Sequence, residues 1–521
     1  MARRSNIPFR QLVAIPLRVQ FRGLNKLYRP GDSPEWTSSL EGVELRYGRV
    51  WGQKGIAKWN SFSTAETDTP ILDLFPYVER DLDTTMLRMT PLKVKKWNGT
   101  TWEDITGTAL TGTSSTIPQW TTIQNTVIFT NQGEDKPRKW AGSGNTATIG
   151  GTPPYCKAVC GYKGWLFLGN ISTDGTFTDI TDGYRQVEFS DTWDTDWTSC
   201  DANTMTIDDT PGEIVTMGQS GDYLLIGKND GIVAFRLVGG ATRFAKERVL
   251  FDPEATPRGI IAPRSFKPIG GGGYIFLSSD LRLYAVKGLQ IQPIPENITS
   301  ILQDTLTASN AGKAIGLVDI YRGIYHLIYN RTGGTWNDGR ISYNYLTGEF
   351  YHRAYGGHAF TCASPAKLSA TTDPVMLAST TTLTYQLDTG TDDDGTAVTR
   401  YYDLDWTNLG VSGEKYLMGC DFVMSRKAAV RVSVSAARDF DSNFHQAQAL
   451  SAYGREVDTG FTIMSYRLPS PLYGTHFKLR FTFSHDAATN VAEVWNLAPV
   501  ILPGGQSARE LSALNAYPVL A

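Results

Sequence analysis

Short runs of β-branched and aromatic residues, each closed by Gly, Asn, Asp or Pro, recur along this chain and commit it to sheets. TVIFT at 126–130, GWLFLG at 164–169, QVEFS at 186–190, YLLIG at 223–227 and GIVAFRL at 231–237 are of this kind. YIFLS at 274–278, LRLYAV at 281–286, GIYHLIY at 323–329, RISYNY at 340–345, AVRVSVS at 429–435 and FKLRFTF at 477–483 continue the series. The turns between them explain why 51 Gly and 25 Pro are needed, and such a content rules out a coiled coil or helical array. Helical spacing is confined to 296–306, where Ile298, Ile301, Leu302 and Leu306 recur and Asn297 stands as N-cap, and to a weaker stretch at 508–514.

The runs come in pairs. A polar turn, an aromatic strand, a tight turn and a second aromatic strand repeat at 125–140, 162–170, 221–235 and 273–286, with Asp230-Gly231 predicted in one hairpin turn. A unit of this size cannot bury both faces alone, so the spacing predicts stacked blades of a β-propeller, clearest over 116–382. Past 370 the chain turns Thr/Asp/Gly-rich, and from 400 alternating strands predict an antiparallel β-sandwich. The expected fold is therefore all-β, with an extended basic N-terminal arm over 1–60, a propeller-like domain over 61–385, a sandwich over 386–503 and a tail over 504–521.

Charge is unevenly placed. Residues 1–60 hold 11 Lys/Arg and 4 Asp/Glu, a balance of +7; the remainder holds 38 basic and 48 acidic residues, a balance of −10. Such an arm suits docking onto an acidic protein or contacting nucleic acid. Five cysteines, at 156, 160, 200, 362 and 420, are too sparse for a disulfide framework and read as buried thiols of a reducing compartment. No apolar run is long enough to span a bilayer, and the basic start is broken by Pro16 and Arg18, so it reads as mature chain rather than signal peptide.

Motifs for chemistry are absent or incomplete. The acidic run Asp388, Asp392, Asp393, Asp394 before Gly395 fails as a calcium loop, because Gly390 and Tyr401 occupy the first and twelfth positions where carboxylates belong. It reads instead as a solvated acidic loop. The glycines of 270–273 have no Lys-Ser/Thr after them and read as a flexible loop. Asp191 and Asp196, with Trp193 and Trp197 beside them, are the candidate carboxylate pair of a glycosidase, but Ser172-Thr173-Asp174-Gly175 departs from the sialidase turn motif by one place. No catalytic residue, metal or cofactor is expected.

Five phrases, in this order, give the chain a likeness to a known family. FRGLNKLYRPGDSPEWTSSLEGVELRYGRV (21–50), RQVEFSDTWDTDW (185–197), the stretch 274–299, RISYNYLTGEFY (340–351) and DDDGTAVTRYYDLDWTNLGVSGEKYL (392–417) resemble the tail nozzle, or packaged-DNA stabilisation, proteins of short-tailed bacteriophages. The chain is more compact than nozzles that carry large distal insertions. The resemblance implies a non-enzymatic virion protein of the tail, assembled in the host cytoplasm. It implies a homohexameric ring below the portal and adaptor, or head-to-tail connector, where the ring closes and then guides the DNA exit channel. A tail fibre or tailspike is a further partner, and genomic DNA passes without sequence specificity. Under this reading Arg3, Arg4, Arg10, Arg18 and Arg22 dock the ring to a neighbour or the adaptor, and Asp388, Asp392, Asp393 and Asp394 face the lumen or a partner. A tail-tip receptor-binding propeller that recognises host glycan is the alternative.

Overall fold

A computed structural model describes residues 13–14, 21, 23–26, 36–46, 48–59, 65–79, 84–177, 183–191, 197, 203–239, 243–249, 259–295, 299–306, 308–331, 333–367, 374–409, 412–425, 430–449, 455–458, 461–485 and 493–503. They are nearly all strand, and the pairings are overwhelmingly antiparallel. The helical stretch read at 296–306 is a short helix, Thr299–Thr305, followed by Ala308–Ala311. Asn297 and the stretch 508–514 lie outside the described residues. Contacts divide the chain into two compact units, residues 55–348 with 354–397, and residues 1–54 with 349–353 and 398–521.

Among the described residues the larger unit is a succession of seven antiparallel sheets. The first five follow the chain, each a four-stranded meander: 73–104, 119–148, 155–206, 214–249 and 267–293. The sixth brings Ile315–Asp319, Ile324–Tyr329 and Gly339–Asn344 together. The seventh joins Cys362–Ala366, Val375–Ser379 and Thr384–Leu387 to a strand from much earlier in the chain, Ile56–Lys58.

Local chemistry sets the hairpins. Tyr155–Tyr162 and Trp165–Ser172 pair as far as Tyr162 opposite Trp165, which leaves Lys163 and Gly164 as a two-residue loop. Both have positive φ, 47° and 87°, the geometry whose twist matches the strands, and Gly164 takes it without a Cβ penalty. The pair Tyr223–Lys228 and Ile232–Leu237 has Asp230 and Gly231 in its connecting turn, as the sequence predicts. Asp230 accepts a hydrogen bond from Thr210 Oγ1 at 2.8 Å.

Packing between sheets supplies the core. One apolar cluster joins the first and second sheets around Leu87, Phe129 and Trp140, and another joins the second and third around Ile128 and Leu166. Phe167, Phe189, Leu224 and Phe235 join the third to the fourth, and Leu225, Phe266 and Phe276 the fourth to the fifth. Between fifth and sixth, the Tyr325 hydroxyl donates to the Ser265 carbonyl at 2.8 Å. Ile56, Leu317, Phe360 and Tyr385 join the sixth to the seventh, and Trp59, Leu74, Met86 and Leu377 join the seventh back to the first. Each fully buried large side chain contributes about 1.5–3 kcal/mol.

Among the described residues the smaller unit has two main sheets, one of eight strands and one of five. Phe422 of the larger sheet meets Phe481 of the smaller edge-on at 5.6 Å. Asp403 is fully buried and is held by Arg480 Nε and Nη2, at 2.7 and 2.8 Å, with Lys478 at 3.2 Å.

For the described residues of 1–54, the structure corrects the expectation of one extended arm. Leu40–Glu41 pairs with Tyr401–Tyr402, Val43–Arg46 pairs with Arg49–Gly52, and the latter pairs with Glu493–Val494. The basic charge there is partly used locally, since Arg46 donates to Glu44 at 2.6 and 2.9 Å. That pairing hides an alternation in which Val43, Leu45 and Val50 are buried.

Candidate functional site

The acidic loop proves to be a clasp. Asp388 follows the last strand of the seventh sheet in the left-handed region, at φ 53°. Its carboxylate takes two hydrogen bonds from Arg340, at 2.8 and 3.1 Å, and Arg340 is only 1% exposed. Asp393 is buried, with its N–H on the Thr396 carbonyl at 2.7 Å and its own carbonyl 3.1 Å from His358 Nε2. The expectation of a solvated loop therefore fails for Asp388, which is only partly exposed and balances a buried cation, and for Asp393. Asp392 and Asp394 are exposed; Asp392 Oδ1 accepts the Gly395 N–H at 3.1 Å and Asp394 lies 3.4 Å from Lys58. The loop backbone grips the closing strand, with the Ile56 N–H on the Asp392 carbonyl at 2.9 Å and the Asp394 N–H on the Ile56 carbonyl at 3.1 Å.

Beside this pair sits His326, buried, its Nδ1 2.7 Å from Ser342 Oγ. Burial, reinforced by the Arg340 charge, pushes the imidazole down to about 3. The unfolded chain then binds a proton near pH 6.5 that the folded chain refuses, so stability is complete above that pH and falls as pH drops from about 6.5 towards 3. The slope from this group approaches about 1.4 kcal/mol per pH unit. We expect His326→Gln to flatten the acid limb by about one proton, read from denaturant midpoints between about pH 4.5 and 7. An unchanged acid slope would contradict the assignment.

Several residues singled out by sequence do not come together in the described structure. Arg3, Arg4, Arg10, Arg18, Arg22, Trp193 and Asp196 lie outside the described residues. The Asp191 carboxylate is held by Arg243 at 3.1 Å. Trp197 packs in the cluster between the second and third sheets, and its backbone N–H donates to the Gly150 carbonyl at 2.8 Å. The turn at Ser172 satisfies itself, since Ser172 Oγ accepts the Gly175 N–H at 3.1 Å and Asp174 the Thr176 N–H at 2.8 Å.

A second polar set was invisible in the sequence. Gln119, in the first strand of the second sheet, donates to the Val215 carbonyl of the fourth sheet at 2.6 Å. Arg264 stands just ahead of the first strand of the fifth sheet and is 7% exposed. It donates to the carbonyls of Leu72 at 3.1 Å, Thr361 at 2.7 Å and Lys313 at 3.4 Å, which lead into the first, seventh and sixth sheets. Trp120 Nε1 donates to Asp73 Oδ2 at 3.1 Å. Burial raises the Asp73 carboxyl against the pull of Lys267 and Arg264, and burial lowers Lys267. These side chains tie together sheets that are distant in the chain. The one available signal was an Arg inside the apolar run GIIAPRSF.

The arrangement is one of structural ties. Among the described residues, no group of three or more His, Cys, Asp or Glu is placed to hold a metal. Cys156, Cys160, Cys362 and Cys420 are buried free thiols, and burial pushes the first three up to about 12, which makes them poor nucleophiles. Among the described residues no helix is long and apolar enough to cross a membrane. No protein-family model and no curated protein matches the chain.

Proposed function

We propose that the chain is a structural virion protein of a bacteriophage tail, the nozzle ring that closes and then guides the DNA exit channel below portal and adaptor. The observation that carries this reading is the ordered set of five family-like phrases spread from residue 21 to residue 417. We read the seven sheets as blades of a β-propeller, because the strand Ile56–Lys58 pairs with Thr384–Leu387 and the seventh sheet packs on the first. We read the two sheets of the smaller unit as a β-sandwich. A closed sheet set leaves few free edges and suits a part that bears load.

The bridging groups bear on where DNA passes. On the propeller reading, Gln119 and Arg264, which tie sheets distant in the chain, are assigned to the place where the blades converge, and the route for DNA is assigned to the space between copies of the chain rather than to a single propeller. Six bodies of −10 each surround that route with roughly −60, which repels phosphate and lets DNA slide. Asp392 and Asp394, the exposed members of the acidic loop, are available to a lumen or a fibre or tailspike. Arg3, Arg4, Arg10, Arg18 and Arg22 are assigned to docking on a neighbouring copy or the adaptor.

Native mass spectrometry of the full chain, alone and with its adaptor, tests the assembly. A hexamer, formed alone or on the adaptor, supports the ring. A stable trimer without adaptor affinity contradicts it and favours the tail-tip receptor-binding reading.

A further inference from the structure

A cavity of about 270 Å³ lies where the first and seventh sheets meet, walled by Trp59, Glu66, Arg88, Lys95, Trp102 and Thr384. Two kinds of surface meet in it. One is aromatic: Trp59 lies 4.6 Å from Trp97 and 5.9 Å from Trp102 between ring centroids, and Trp97 and Trp102 are 5.5 Å apart. Trp102 is only partly covered and carries the Arg88 guanidinium 4.3 Å above its ring. The other surface is charged. Glu66, 6% exposed, accepts Lys95 Nζ on both oxygens at 2.8 Å and also pairs with Arg88 Nη2.

Among the described residues the charges do not cancel. Arg88 and Lys95 share the one Glu66 carboxylate, which leaves a surplus of one positive charge. An ammonium has three donors, of which Lys95 spends two on Glu66. The Nε–H of Arg88, itself 5% exposed, has no hydrogen-bond partner among the described residues. Lys93 and Lys96, on the same strand segment, are neutralised by Asp104 at 3.2 Å and Glu103 at 3.4 Å.

We propose that this cavity binds a carboxylate-bearing sugar residue of the hexuronic acid type. The sugar's apolar face packs on the Trp102 indole and its carboxylate meets the surplus charge of Lys95 and Arg88. A neutral sugar would use the indoles and waste the charge, whereas a small inorganic anion would use the charge and leave the indoles bare. The volume lies just under the usual range for organic ligand pockets, which suits one ring and not an oligosaccharide. This goes beyond the nozzle reading and does not depend on ring assembly, because every wall residue named comes from one compact unit of one chain.

The test is isothermal titration and tryptophan fluorescence on the full chain with methyl glucuronide, methyl glucoside and acetate as probes. The glucuronide is expected to bind about tenfold or more tightly than either of the others, the discrimination of one charge-assisted hydrogen bond. Lys95→Gln should reduce that preference about tenfold, while Lys96→Gln leaves it alone. Because Lys95→Gln also touches Glu66, a second variant guards against loss of fold: Thr101→Trp, at an exposed position on the rim, should block binding with the cluster intact. Equal binding of glucuronide and glucoside, no glucuronide binding at millimolar concentration, or full binding by Thr101→Trp would overturn the proposal. None of these results would alter the oligomer seen by native mass spectrometry.

Discussion

Arg264→Met is expected to lower the stability of the seven-sheet unit by about 3–5 kcal/mol, the range for breaking a buried, hydrogen-bonded charge interaction. Methionine fills much of the same volume but donates nothing. The carbonyls of Leu72 and Thr361 then lose a charged donor, and Lys313 a weaker one at 3.4 Å. Each buried carbonyl left without a partner costs about 1–3 kcal/mol. Arg236→Met is the control. Arg236 is half-exposed and its partner Glu247 lies 2.7 Å away on the surface, so that change should cost about 1 kcal/mol or less. Urea unfolding followed by tryptophan fluorescence separates the two. Equal midpoints would mean that Arg264 does not tie the sheets together.

Gly55→Val should be equally damaging for a different reason. Gly55 precedes the closing strand and lies against the acidic clasp, with its N–H on the Gly390 carbonyl at 3.2 Å and its carbonyl accepting the Thr389 N–H at 2.9 Å. A Cβ at this position would overlap the Asp392 carbonyl, which is backbone and cannot rotate away. The clasp must then lift, and the hydrogen bonds between Ile56 and Asp392 and between Asp394 and Ile56 are lost with it. Strain of this kind together with lost buried hydrogen bonds costs about 3–5 kcal/mol. Protease sensitivity near residues 55–60 should rise as the strand detaches. Gly270→Ala, where an added Cβ would have only the Tyr345 hydroxyl near it, at 3.9 Å, should change stability by about 1 kcal/mol or less. A Gly55→Val protein as stable as the parent would show that the seventh sheet does not depend on the early strand.

These two residues also mark the limit of what sequence could reveal. The strands that paired as read were those carrying long apolar runs with a turn between them, such as 223–237 and 273–287, because alternation and turn chemistry act within a few residues. Ile56–Lys58 is three residues long, sits in a basic segment and finds its partner more than 300 residues later, so no local pattern announces it. The hairpin Val94–Trp97 and Trp102–Asp104 was obscured because its outward positions are Lys and Glu, yet the two tryptophans stand opposite each other in register. Arg264 and Asp73 look like surface charges until the fold brings their sheets together. Of the acidic loop, the chemistry of Asp392 and Asp394 was legible as exposed charge. The burial of Asp393 and the pairing of Asp388 were not, because Arg340 lies 48 residues before Asp388.

A nozzle ring has one required position in a particle, and we propose that this chain occupies it. Averaged electron-microscopy images of a tail containing this protein should show six copies around a common axis directly below the adaptor. DNA density should run along that axis and through no single copy of the chain. Copies grouped in threes at a fibre tip, or absent from the ring below the adaptor, would contradict it.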